Sequence, residues 1–94
     1  MNEEKTALAL SLVKARLNRL DAALDDYLTA RIQSAYEYLT GQGLHLDPDA
    51  SRDLMLIVDT AVYQYSSRDA DKGEPEWLRY QIRQRWLMER GDQA

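Results

Sequence analysis

The longest uninterrupted apolar run in the chain is Leu54-Met55-Leu56-Ile57-Val58. It lies in a segment, about 48–68, whose apolar residues would cover most of the circumference of a helix, and such a helix has neighbours on several sides. We therefore expect a central, apolar third helix. Its main inward face is predicted to consist of Leu54, Ile57, Val58, Ala61 and Tyr65, with Met55 and Val62 on a second face. The run is far shorter than the roughly 20 apolar residues that span a bilayer, so no contact with a membrane is expected.

The sequence on both sides of this segment has helical rather than alternating periodicity. The few glycines and prolines divide it into segments. The predicted fold is all-α, a single domain over residues 1–94 with four helices at about 3–18, 22–40, 48–68 and 75–90. The predicted helix starts are Asp21, Asp47 with Pro48, and Pro75, and the predicted ends are Gly41 and Gly91. A break is predicted at about 19–21, but one continuous helix over 3–40 remains an alternative because no glycine or proline marks that joint.

Apolar residues three and four positions apart predict which face of each outer helix is inward. In the first helix they are Leu10, Val13, Leu17, Leu20 and Leu24, with Leu8 and Leu12 on a second apolar line. In the second helix they are Leu24, Leu28, Ile32, Ala35 and Leu39. The last helix has Trp77, Leu78, Ile82 and Trp86 on its apolar side.

The composition excludes several kinds of active site. The 94 residues include no cysteine, which excludes thiolate nucleophiles and thiolate metal sites, and His45 is the only histidine. Asp47, Asp49 and Asp53 lie close together in the sequence. A calcium loop that began at Asp47 would need glycine at its sixth position, where Arg52 stands. Helix capping is the preferred explanation for these aspartates, and we expect neither an enzyme nor a metal or cofactor site.

The charge of the chain is unevenly distributed. Its net charge is −4, which argues against a dedicated binder of duplex DNA. Residues 1–20 sum to +2, residues 21–50 to −5, residues 51–76 to −3 and residues 77–94 to +2. Copies of the chain could therefore meet end to middle, although ordinary scatter of surface charge would explain the same profile. The acidic start, Met-Asn-Glu-Glu-Lys, predicts no signal peptide, so we expect a soluble protein made inside the cell.

The last helix combines arginine with aromatic residues, a composition that is enriched in protein interfaces. Arg79, Arg83 and Arg90 are predicted to lie near one face, beside Trp77 and Trp86. A solvated face that pairs these arginines with glutamates of the same helix is the alternative. The six tyrosines of the chain likewise suit either the edge of a small core or an interface between subunits.

Three segments of the chain carry a resemblance to a known family. They are Ile32-Gln33-Ser34-Ala35-Tyr36-Glu37-Tyr38-Leu39-Thr40-Gly41, then the stretch from Asp53 to Arg68, which ends Ala61-Val62-Tyr63-Gln64-Tyr65-Ser66-Ser67-Arg68, and Pro75-Glu76-Trp77-Leu78 at the start of the final helix. Together they resemble tailed-phage head–tail connector proteins. The resemblance covers about residues 10–88 in the family's order and spacing. It implies a four-helix subunit that assembles as a ring beneath the portal of a phage or prophage head. That ring completes the DNA-filled head and docks the tail or a stopper protein.

The resemblance also suggests where the chain would make contacts. The implied partners are other copies of the chain, the portal protein and a tail or stopper protein, with duplex DNA only as passing cargo. The implied location is the head–tail junction of the virion and, during assembly, the host cytoplasm. The candidate contact residues are Leu8, Leu12, Trp77, Arg79, Arg83, Trp86 and Arg90, and the candidates for an acidic channel lining are Asp25, Asp26 and Glu37. The competing functions are a small helical DNA-binding or regulatory protein that uses the last helix, and a carboxylate-based enzyme.

Overall fold

The computed structural model describes residues 1–19, 21–67 and 73–93. In order along the chain, these residues form four α-helices: α1 (Glu3–Arg16), α2 (Asp25–Gly41), α3 (Ser51–Ser66) and α4 (Glu76–Gln93). No strand occurs in the described ranges, so the predicted all-α class is confirmed. None of the helices found there is both long enough and apolar enough to span a membrane. Leu20 and Arg68, which the sequence places in the first and third helices, lie outside the described residues.

The joint between α1 and α2 is a break, and an asparagine makes it. Asn18 has a positive φ of 56°, a conformation that asparagine tolerates better than most residues. The N–H groups of Asn18 and Arg19 donate to carbonyls in the last turn of α1 over 3.3 and 2.9 Å, which is the Schellman pattern of a helix C-terminus. The predicted cap at Asp21 is wrong, because α2 begins only after Leu24, whose carbonyl accepts the first helical bond.

Two turns separate α2 from α3, and both differ from the prediction. Gly41 is still helical, and the left-handed glycine is Gly43, with φ 93° and its N–H donating to Thr40 over 3.0 Å. The side chain of Asp47 accepts from the N–H of Asp49 over 3.0 Å, and the carbonyl of Asp47 accepts from Ala50 over 2.9 Å. These bonds close a turn of their own, so α3 starts at Ser51 rather than at Pro48.

The two glycines at the end of α2 should respond in opposite ways to alanine. We expect Gly43→Ala to destabilise the protein by about 1 kcal/mol or more, because alanine is strained at positive φ. We expect Gly41→Ala to stabilise it by about 0.5–1 kcal/mol, because alanine favours a helix and an added Cβ would meet nothing within 4 Å. Urea denaturation of the two variants and the wild type measures both effects. Equal effects of the two changes would contradict this assignment of the helix end.

Helix α3 supplies the largest share of the core. Seven of its residues are buried, against four in α2 and two in α1, and these three helices pack against one another pairwise. The buried residues of α3 are Asp53, Leu54, Leu56, Ile57, Val58, Thr60 and Ala61. The inward face predicted for α2 is also the observed one, since Leu28, Ile32, Ala35 and Leu39 are buried.

Helix α1 buries a different set of residues from the predicted stripe. Val13 is buried as predicted, but its buried companion is Ala9 rather than Leu10. The small side chain of Ala9 is completely buried, while Leu10, Leu12 and Leu17 pack against the core from its margin. Three ion pairs complete the attachment: Lys5 with Asp49 (3.5 Å), Lys14 with Asp25 (2.8 Å) and Arg16 with Asp59 (2.5 Å). Most basic side chains of residues 1–20 thus form ion pairs with aspartates from the acidic middle of the same chain.

Helix α4 opens after Pro75, as the sequence predicts. The carbonyl of Pro75 accepts hydrogen bonds from the N–H groups of Leu78 and Arg79 over 3.1 and 3.0 Å. The predicted end at Gly91 is wrong, since the helix continues to Gln93. A glycine inside a helix costs only about 1 kcal/mol relative to alanine, so a single glycine need not stop one.

Candidate interaction surface on the last helix

The inner edge of α4 attaches to the other helices through two apolar side chains and one arginine. Leu78 and Ile82 are buried in the common core. One turn further, Arg85 extends its guanidinium to the carboxylate of Asp53 on α3, with Nε to Oδ1 at 2.7 Å and Nη2 to Oδ2 at 3.1 Å. This two-bond geometry fixes both the position and the rotation of α4.

The carboxylate of Asp53 is buried and fully engaged. It is 2% exposed, and its Oδ2 also accepts from the backbone N–H of Asp47 over 2.8 Å. Burial by itself raises the pKa of Asp53, but the hydrogen bonds from Arg85 and Asp47 and the charge of Arg85 outweigh it, so the pKa lies below its usual 3.8. Asp53 is therefore ionised in the folded protein at neutral pH, and it joins α4 to both α3 and the preceding loop.

Glu89 makes a second attachment between α4 and that loop. Its carboxylate accepts from the backbone N–H of His45 over 3.0 Å, contacts the His45 ring at Nδ1, and receives Nη1 of Arg85 at 3.2 Å. The hydrogen bonds from His45 hold the pKa of Glu89 below its usual value. Arg85 also donates to the carbonyl of His45 over 2.9 Å. These bonds link the His45 loop, α3 and α4 into one network of charged groups.

The start of α4 is held by tyrosines of α2 and α3. The hydroxyl of Tyr38 donates to the carboxylate of Glu74, and the hydroxyl of Tyr63 donates to the carbonyl of Gly73 over 3.0 Å. The ring of Tyr63 also meets Trp77 edge to face, with the centroids 6.1 Å apart. Partial burial and the adjacent Glu74 carboxylate together raise the pKa of Tyr38 to about 12.

The contact between Tyr38 and Glu74 predicts a pH dependence at the alkaline end. Because the folded pKa is raised to about 12 from 10.0, the folded state favours the neutral phenol. The stability that this contact contributes is fully present below pH 10 and is lost as the pH rises towards 12. In an ultraviolet titration, the phenolate absorbance of Tyr38 is the difference between the wild type and Tyr38→Phe. This difference should appear near pH 12. If it appears near pH 10.0 instead, the contact does not exist in solution.

The outer face of α4 is exposed from Arg79 to Arg90. Arg79, Arg83, Trp86 and Arg90 follow one another at helical spacing, and all four are exposed. The guanidinium of Arg90 stacks over the Trp86 ring, 4.6 Å from its centroid, while the ring remains 38% exposed. Four of the five contact residues predicted for α4 therefore lie exposed in one row, whereas Trp77, which is also exposed, lies two residues before Arg79 and outside that row.

A groove of about 560 Å³ lies beside this face, between α3 and α4. It is lined by Arg52, Leu56, Tyr80, Gln81, Gln84, Arg85, Leu87 and Met88. This lining contains apolar, amide and guanidinium groups and no carboxylate. Tyr80 at its edge is 65% exposed, the largest exposure among the large hydrophobic side chains of the described residues.

The structure distributes the other predicted contact residues among different environments. On α1, Leu8 is exposed, whereas Leu12 packs against the core and offers only part of its surface. Among the acidic residues of α2, Asp26 and Glu37 are exposed, whereas Asp25 is half-buried in its ion pair with Lys14. These residues belong to α1 and α2, whereas the exposed row of arginines and Trp86 belongs to α4.

Sequence reasoning missed the network around Asp53. Helix capping, the preferred explanation for Asp53 from the sequence, does not account for its hydrogen bonds to Arg85. Arg85 differs from the three exposed arginines of α4 in its position on the helix, since it falls two and five residues away from Arg83 and Arg90. That offset places Arg85 on the buried side of the helix with Ile82, and it is the sequence feature that predicts a contact inside the subunit.

Comparison with protein-family models, with curated proteins and with solved structures finds no match to this chain. Across the described part of the chain, no group of three or more histidine and carboxylate side chains is placed to hold a metal ion. The function is therefore argued from the surfaces of the molecule and from the resemblance noted in the sequence.

Proposed function

We propose that this protein is a head–tail connector subunit of a phage or prophage. Copies assemble as a ring beneath the portal, complete the DNA-filled head and present the surface on which a tail or stopper protein docks. The exposed outer face of α4 carries this proposal. Its arginines and tryptophan lie together, and arginine and tryptophan dominate the binding energy of protein interfaces.

The construction of α4 supports the same role. Leu78, Ile82 and Arg85 attach the helix to the rest of the subunit, so its outer face stays available to a partner. A ring subunit needs a rigid body and two different contact surfaces, and no reacting groups. The groove between α3 and α4, which no carboxylate lines, favours binding over carboxylate catalysis.

A second candidate function is binding to duplex DNA through α4. The exposed arginines at positions 79, 83 and 90 favour it, because cations on one helix face can contact phosphates. Against it stand the net charge of −4 and the position of Trp86 between two of those arginines. Binding to phosphates would weaken steeply as salt rises, whereas a partly apolar protein interface would weaken less.

The experiment is a binding measurement with the portal ring encoded in the same genome. We expect the chain to bind this ring at physiological salt and duplex DNA only weakly or not at all. The matched variant Trp86→Ala should lose most of the assembly on the portal ring, while Met55→Ala, which removes an exposed apolar residue of α3, should retain it. A chain that stays monomeric and never binds the portal, or one that binds DNA in its place, defeats the proposal.

A further inference from the structure

Helix α2 carries an outward stripe that no other part of the described chain covers. The stripe consists of Asp26, Ala30, Gln33 and Glu37, which are all exposed and lie four, three and four residues apart. This spacing places them in one row along the helix. Both ends of the row are acidic, and small or neutral side chains lie between them.

The outer face of α4 has the same spacing with the opposite charge. Arg79, Arg83, Trp86 and Arg90 are also four, three and four residues apart. In each row the end residues are eleven positions apart, or about 16.5 Å along a helix. The arginines at the two ends of one row could therefore reach the two carboxylates at the ends of the other.

We infer that the α4 row of one copy docks antiparallel on the α2 row of the next copy. In this orientation Arg79 comes level with Glu37 and Arg90 with Asp26. The inference rests on the proposed function, since it assumes that copies of the chain assemble. It assigns Asp26 and Glu37 to the contact between copies rather than to the lining of a DNA channel.

The middle of the two rows favours the antiparallel orientation. Trp86 then comes level with Ala30, whose small side chain leaves room for the indole, and Arg83 comes level with the amide of Gln33. In the parallel orientation Trp86 would meet Gln33 instead. A large side chain that packs over a small one gives the close packing found at interface centres. The two charge pairs then lie at the ends, where they set orientation and suppress incorrect pairing.

The remaining charges of the chain agree with this pairing. Lys5, Lys14 and Arg16 at the N-terminal end already pair with aspartates of the same chain. Among the described residues, the exposed cations that remain for an acidic partner are the arginines of the α4 row, together with Arg19 and Arg52. Because the two rows are different surfaces, the contact is heterologous and can close into a ring.

Charge reversal tests the inference. One variant carries Arg79→Glu with Arg90→Glu, a second carries Asp26→Lys with Glu37→Lys, and a third carries all four changes. Arg19→Glu with Arg52→Glu is the control for the first variant, since it makes the same change in net charge as that variant at exposed positions outside both rows. Assembly is followed by native mass spectrometry in the presence of the portal ring, and helix content by circular dichroism.

We expect each double variant to lose assembly at least about tenfold, because like charges then face each other. The fourfold variant and the control should assemble like the wild type, and an equimolar mixture of the two double variants should form assemblies containing both. Double variants that assemble normally would overturn the α4–α2 contact and leave the proposed function standing. A fourfold variant that stays unassembled would overturn it as well, and would point to the portal as the occupant of the α4 row. A wild type that neither assembles nor binds the portal would remove the proposed function itself.

Discussion

Replacing Asp53 with asparagine is expected to lower the free energy of unfolding by about 3–5 kcal/mol. The change removes the charge nearest the Arg85 guanidinium, which then faces a neutral amide and keeps the more distant carboxylate of Glu89. It also weakens the acceptor of the Asp47 N–H. A domain of this size has only about 5–15 kcal/mol of stability in total, so a loss of this size should be evident in urea denaturation.

The double variant Asp53→Asn with Arg85→Met separates the charge from the packing. Since it removes both charges, it should be less destabilised than Asp53→Asn alone. Stability should also depend on pH through Asp53. Its folded pKa lies below 3.8, so its contribution is present above that value, falls as the pH falls, and is absent in Asp53→Asn. A single variant that costs less than about 1 kcal/mol would show that the ion pair does not hold α4 in place.

The second large effect is expected at Ile57, in the apolar run at the centre of α3. Ile57 is completely buried, and Ile57→Ala should cost about 2–5 kcal/mol through lost burial and the cavity left behind. Met55 on the same helix is 38% exposed, so Met55→Ala should cost less than about 1 kcal/mol. Denaturation of the two variants side by side measures the difference. Similar costs at the two positions would mean that α3 does not turn Ile57 towards the core and Met55 towards the solvent.

Local patterns were sufficient to predict the helices and most of the core. The stripe from Leu28 to Leu39 is inward as predicted, and so are Leu54, Ile57, Val58 and Ala61 of α3, because burial follows helical periodicity. The helix ends were less predictable. Asn18 adopts the left-handed conformation usually assigned to glycine, and Gly43 rather than Gly41 takes it at the end of α2. Several neighbouring residues could satisfy the same turn geometry, and only the packing of the flanking helices selects one.

The contacts that hold α4 could not be predicted from local patterns. Asp53 and Arg85 are 32 residues apart, and Glu89 and His45 are 44 apart. No periodicity connects positions so distant in the chain, because their pairing depends on how the helices pack. The exposed row on α4 was better predicted, since Arg79, Arg83 and Arg90 lie on one face at helical spacing. What the structure adds is that Arg85 has a different role, inside the subunit.

The central claim is that the outer face of α4 becomes covered when the chain assembles, and Trp86 can report this directly. The chain has two tryptophans, so Trp77→Phe leaves Trp86 as its single tryptophan, which can be excited selectively over the tyrosines. Acrylamide quenching of this variant should be strong for the free chain, because Trp86 is 38% exposed. After the portal ring is added and multiples of the 10.9 kDa subunit form, the quenching should fall severalfold. Unchanged quenching in a sample whose mass has increased would place the contact elsewhere and contradict the account.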